Sequence, residues 1–79
     1  MDWEEAIEQI DGTLELIQDL EDDYPRIWDN GEDFFTDVRE KMTEVRETIE
    51  ENERVTMGQA RAIENWGEGV RKWHPDFKD

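Results

Sequence analysis

Phe35, Val38, Met42, Val45 and Ile49 step along the chain by 3, 4, 3 and 4 residues. That interval keeps one face of an α-helix apolar. It does not suit a strand, whose side chains alternate between two faces. With Phe34 alongside, the stripe predicts a helix over about residues 32–52. Glu32 and Asp33 stand at its start, where the helix macrodipole favours acids. Glu50, Glu51 and Glu53 stand at its end, where the dipole disfavours them, and nothing local in the sequence accounts for that cluster.

The same spacing recurs on both sides. Trp3, Ile7, Ile10, Leu14, Ile17, Leu20 and Tyr24, with Ala6 beside them, predict a first helix over about residues 2–24. Asp2 can cap its N-terminus, with Glu5 three residues on as in a capping box. Gly12 costs about 1 kcal/mol against Ala there. The apolar phase nevertheless continues from Ile10 to Leu14, which favours one helix over a break recapped by Thr13. Pro25 ends this helix or opens a short turn holding Ile27 and Trp28, and Asp29-Asn30-Gly31 then reads as a stop. In "RVTMGQA", Thr56 and Gln59 form a second capping box, and Val55 and Ala60 occupy the positions of a hydrophobic staple. Ala60, Ile63, Trp66 or Gly67, Val70 and Trp73 carry the buried face of a third helix over about residues 57–73. His74-Pro75 ends it, leaving a short tail with Phe77 as an anchor.

Three amphipathic helices with short connections imply one all-α domain spanning residues 1–79, a small antiparallel three-helix bundle. The alternative is a helical hairpin that dimerises as a coiled coil. A core this small is marginal. The chain has no Cys, so neither a disulfide nor a thiolate metal site is available. No window approaches the roughly 18 apolar residues of a membrane span and no signal peptide is evident, so the expected location is the cytoplasm.

Charge separates the three helices. Residues 1–24 hold ten acids and no base; residues 25–53 hold ten acids and four bases; residues 54–79 hold four acids and five bases. The net charge of −15 lies in the first two segments and opposes direct contact with nucleic acid or anionic lipid. On the first helix Glu4, Glu8, Asp11, Glu15, Asp19 and Asp22 step by 4, 3, 4, 4 and 3, a row opposite the apolar face. It spans about 27 Å at 1.5 Å per residue. Asp37, Glu40, Glu44, Glu47 and Glu51 form a second row on the next helix. Like charges at i,i+4 each cost a few tenths of a kcal/mol, so folding alone would favour a Lys somewhere in the first row. B-DNA carries about one charge per 1.7 Å of axis, and a groove built to grip phosphates draws much of its affinity from such charge. The rows therefore point to a basic, nucleic-acid-handling protein as partner. A merely solvated face, or adaptation to high salt, would also produce an acidic surface, although halophily would charge the third helix too. In residues 54–79 Arg54, Arg61, Arg71 and Lys72 cluster and are expected to pair in part with acids on the neighbouring helices.

Catalytic and metal chemistry find little to work with, and no enzyme activity, cofactor or metal is expected. His74, the one histidine, abuts a proline and reads as a surface or capping residue. Asp29 to Asp33 lacks the spacing of a calcium loop. Thr56-x-x-Gln59-x-x-Ala62 could open a helix-turn-helix, but the helix holds two glycines and the molecule repels DNA. Trp3, Trp66 and Trp73 fall on apolar faces, whereas Trp28, in the connection beside Tyr24 and Ile27, is the aromatic candidate for a partner contact.

The stretch "FFTDVREKMTEVRETIEENERVTMGQARAIENW" resembles small acidic bacteriophage-encoded helical proteins. In these a Phe-led helix and short turn precede a Thr-x-x-Gln-x-x-Ala-hydrophobic helix. The matching positions are Phe35, Val38, Val55, Thr56, Gln59, Ala62 and Ile63. The resemblance implies a phage or mobile-element origin, no catalytic residues to carry over, and the company of anti-CRISPR and DNA-mimic inhibitors. Together these readings describe a non-enzymatic binding protein that blocks the nucleic-acid site of a basic partner. The alternative is a structural or accessory protein acting through helix–helix self-association.

Overall fold

The structure, a computed structural model, describes residues 1–77. Its elements are α1 (Trp3–Asp23), α2 (Pro25–Asn52), α3 (Met57–Trp73) and a short 3₁₀ turn, Pro75–Phe77. Asp2 is extended, and its Oδ1 accepts the N–H of Glu5 at 2.8 Å, which is the forward half of the expected box. α1 then runs unbroken through Gly12. Its last bond is from the N–H of Tyr24 to the carbonyl of Leu20, 3.1 Å. Tyr24 alone joins α1 to α2.

The expected stop at Asp29-Asn30-Gly31 is a kink. The helical run starts at Pro25, seven residues before Glu32, and Gly31 departs from helical geometry (φ −119°, ψ 15°), so that two helical stretches meet there across the kink. Pro25 suits the first helical position, since its missing N–H would have no partner there and its φ is already set. Packing overrides the local turn signal. Gly31 is buried, and a Cβ on it would come within 2.8 Å of the Phe35 ring and 3.4 Å of the Trp73 ring. The residue is Gly because aromatic rings occupy its side-chain space.

α2 ends at Asn52, and Glu53 follows in the left-handed region (φ 53°, ψ 38°). α3 opens with the full capping box. The Gln59 N–H donates to Thr56 Oγ1 (3.1 Å) and the Thr56 N–H donates to Gln59 Oε1 (2.9 Å). Val55 and Ala60, the staple positions, are half-buried.

α1 packs against both other helices, giving an antiparallel three-helix bundle 38 × 24 × 17 Å. Its core is Ala6, Ile10, Ile17 and Leu20 from α1, Phe35, Val38, Met42 and Ile49 from α2, and Ile63 and Val70 from α3. Each large apolar side chain buried this way contributes about 1.5–3 kcal/mol. The stripe that a dimeric coiled coil would need is thus buried within the chain's own bundle. Trp3, Trp66 and Trp73 are half-buried against the core, as is Leu16, which lies off the α1 stripe. No helix is long and apolar enough to cross a membrane among the described residues.

His74 is a correction. It caps the C-terminus of α3, but it is buried rather than on the surface. The rings of Tyr24 and Phe77 meet it edge-on, with centroids at 5.3 and 5.7 Å. Its Nδ1 accepts the N–H of Asp76 at 3.2 Å, and Nε2 is buried without a hydrogen-bond partner among the described residues. The imidazole closes the end of the bundle where Tyr24 turns the chain.

Candidate protein-binding surface

Helical periodicity positions the acids. On α1 the core uses Ala6, Ile10, Thr13, Ile17 and Leu20, and at 3.6 residues per turn the row Glu4, Glu8, Asp11, Glu15, Asp19 and Asp22 falls on the far side. Five of these six are exposed, and Asp19 is half-buried. On α2 the core uses Phe35, Val38, Met42 and Ile49, and Asp37, Glu40, Glu44, Glu47 and Glu51 are all exposed opposite it. Each row faces away from the bundle centre, so the two rows diverge. A flat partner meets one row and the seam between α1 and α2; engaging both requires a partner that curves around the seam.

That seam is cross-linked. Arg46 of α2 grips Asp11 of α1 in a two-pronged contact, Nε to Oδ1 at 2.8 Å and Nη2 to Oδ2 at 3.3 Å. Its Nη1 binds Glu50 at 2.6 Å. This explains Glu50 at the end of α2: the acid serves Arg46, not the helix dipole. The hydrogen bond to Asp11, reinforced by the charges of Asp11 and Glu50 and opposed by desolvation, holds the Arg46 guanidinium above its ordinary range. Arg39 binds Glu21 at 3.3 Å, and Lys41 pairs with Asp37 at 3.0 Å along α2. The expected α3 pairings do not form. Among the described residues Arg54, Arg61, Arg71 and Lys72 are exposed and enter no ion pair. Among the described residues the cations that meet α1 acids, Arg46 at Asp11 and Arg39 at Glu21, both come from α2.

Trp28 is half-buried. Its ring stacks on Phe35 (centroids 5.4 Å, interplanar angle 21°), and the Arg39 guanidinium lies 5.2 Å from its centroid. Phe35 and Arg39 thus hold Trp28 at the seam beside Glu21. At the other end, Trp3 and Ile7 form the apolar wall of a concavity of about 740 Å³ rimmed by Asp2, Glu4, Glu5, Glu8 and Glu50.

Asp29 to Asp33 lies within α2, which removes the loop a calcium site needs. Among the described residues no group of three His, Cys, Asp or Glu side chains converges on a metal position.

The seam pairs divide by how far apart they lie in sequence. Arg46 and Glu50 sit at i,i+4 and are legible there. Asp11 with Arg46 and Glu21 with Arg39 are 35 and 18 residues apart, and only the helix packing brings them together.

Comparison with protein families, with curated proteins and with solved structures finds no match to this chain. The phage-like pattern is a packing and capping pattern in the fold. Phe35, Val38 and Ile63 are core, and Thr56 and Gln59 are the α3 capping box.

Proposed function

We propose that the chain is a non-enzymatic binding protein that presents the outer face of α1, with the adjoining seam and the α2 row, to a basic nucleic-acid-handling protein, and so blocks that protein's nucleic-acid site. The supporting observation is the α1 row, about 27 Å of helix in which Glu4, Glu8, Asp11, Glu15 and Asp22 are exposed and only Asp11 is met by a cation among the described residues. A groove that grips phosphates is cationic and tolerant of the anion's identity, since phosphate contacts position a duplex without reading its sequence. Carboxylates fixed on a rigid helix carry little ordering cost on docking, because the bundle has already ordered the backbone that holds them. In its specific form, the protein is a phage inhibitor of a nucleic-acid-dependent defence complex, anti-CRISPR in kind and acting in the host cytoplasm. The resemblance over Phe35 to Ile63 and the acid rows support that form.

The test is affinity capture from bacterial lysate at about 50 mM and about 500 mM KCl, across which charge-driven binding falls steeply. It is run with and without excess duplex DNA and RNA. A basic protein should be retained at low salt and released by nucleic acid. Retention should be lost when Glu8→Gln, Asp11→Asn and Glu15→Gln are combined, with folding checked by circular dichroism. Binding indifferent to nucleic acid, or to the triple substitution, refutes the proposal.

A further inference from the structure

A groove of about 690 Å³ runs between α1 and α3, on a different side from the acid rows. Its size is that of an ordinary small-molecule site. Leu16 and the buried Ile63 supply apolar walls, and Phe77, 52% exposed, hangs over one end.

Three features of the groove are unexplained by the fold. Gly12 sits within α1, where glycine costs about 1 kcal/mol, yet a Cβ there would meet nothing within 4 Å. Neither backbone geometry nor packing among the described residues requires it, and its effect is to leave the groove open. Thr13 is 4% exposed and lines the groove. Thr43 and Thr48 donate their hydroxyls to the carbonyls four residues back, at 2.8 and 3.2 Å. The Thr13 hydroxyl makes no such bond among the described residues. Arg71, in a chain with 24 acids, has no ion pair among the described residues. Its guanidinium lies over Gly67 instead. Arg71 Nη1 and Thr13 Oγ1 come within 3.1 and 3.3 Å of the point a Cβ of Gly67 would occupy.

We infer that this groove binds a small amphiphilic carboxylate, its head group on the Arg71 guanidinium and the Thr13 hydroxyl and its apolar body along Leu16, Ile63 and Phe77. A guanidinium beside a hydroxyl donor matches a carboxylate through charge-assisted hydrogen bonds. Glu64 and Glu68 also line the groove. With the molecule's net charge of −15 they work against multiply charged anions such as phosphates and nucleotides, leaving a single carboxylate on an apolar body as the fitting class.

The experiment titrates the full chain with octanoate while backbone amides are followed by NMR, with octylammonium and inorganic phosphate as separate arms. Octanoate should shift the amides of Gly12, Thr13 and Gly67 saturably, and neither other probe should do so. Arg71→Met should weaken octanoate about tenfold or more, the scale of a lost charge-assisted contact. Gly12→Leu should abolish the response with the helix signal retained, since Leu is a good helix former and its side chain fills the groove. A groove that does not respond to octanoate, that responds equally to octylammonium, or that binds octanoate unchanged after either substitution overturns the inference.

Discussion

The outer face of α1 and the outer face of α3 are both solvated helix surfaces of one small bundle, yet they are built on opposite rules. α1 carries acids with no base along its length, and among the described residues its cations come across the seam from α2, Arg46 at Asp11 and Arg39 at Glu21. α3 carries Arg61, Arg71 and Lys72 beside Glu64 and Glu68, ends with bases in its last turn as the macrodipole favours, and starts with a complete capping box. A chain selected only to fold would use the α3 cations to relieve α1. This one keeps them apart, and the bundle becomes an electric dipole with its negative side on α1 and α2. The contrast teaches that folding is carried by the apolar seams and the caps, and that the α1 charge is borne in spite of its local cost.

The largest test of that division is Phe35→Ala. Phe35 is fully buried and touches the Trp28, Phe34 and Trp73 rings, with centroids at 5.4, 5.7 and 5.4 Å. Removing it should cost about 3–5 kcal/mol, most of what a domain this size has. Urea denaturation should find the variant largely unfolded at 25 °C. A loss below about 1 kcal/mol would mean that the aromatic cluster does not hold α2 and α3 together.

Next comes Glu53→Gly. Glu53 takes a left-handed conformation that costs an ordinary residue about 1 kcal/mol and glycine almost nothing. The substitution should raise the urea midpoint by the equivalent of about 1 kcal/mol. It sharpens the comparison because it removes an acid from the negative side while acting through the backbone. Its gain should therefore persist in high salt, where a charge effect would fade.

Arg46→Met tests the one cation that serves the α1 row. Three hydrogen bonds to Asp11 and Glu50 would be lost, but the guanidinium is 34% exposed, so the cost should be about 0.5–1 kcal/mol and should shrink as salt is added. The pH dependence has a definite sign. Arg46 is held above its ordinary range, so its stabilisation is fully present below that range and is lost only as pH rises through the still higher folded-state value. The difference between Arg46→Met and the original chain should stay flat between about pH 5 and 9. A slope in that window would place the coupling on another group.

These effects mark the boundary of what the sequence could tell. The 3/4 stripes and the Thr56–Gln59 box are local, and local physics decides them. At Asn30-Gly31 the turn signal marks the kink, but the helical stretch before it, from Pro25, and the contact of Gly31 with the Trp73 ring are not local signals. His74 misled for the same reason: its burial depends on Tyr24, fifty residues earlier in the chain. On the surface, the rows were legible as rows, because exposure opposite an apolar stripe follows from the helix period. The grip of Arg46 on Asp11, and of Arg39 on Glu21 beside the row, was not, since those contacts belong to the seam. Gly12 reads from sequence only as a weak point of α1, and only the position of α3 makes it, with Leu16, part of the wall of a groove.

The smallest effects come from neutralising each outer face in turn. Glu8→Gln with Glu15→Gln removes acids from the α1 row, relieving like-charge neighbours at i,i+4 and i,i+3. It should stabilise by a few tenths of a kcal/mol at low ionic strength. Arg61→Gln with Lys72→Gln removes exposed α3 cations that hold no ion pair among the described residues. It should destabilise slightly, by less than about 0.5 kcal/mol, because it takes positive charge from a molecule already at −15. Thermal denaturation at about 10 mM and about 1 M salt reads both, since the Debye length falls from about 30 Å to about 3 Å and the two shifts should collapse together. Opposite signs at low salt that vanish at high salt are the signature of a charge distribution working against folding. If neutralising the α1 row instead destabilises the bundle at low salt, the row is part of what holds the fold, and the proposal that it serves a basic partner loses its physical motive.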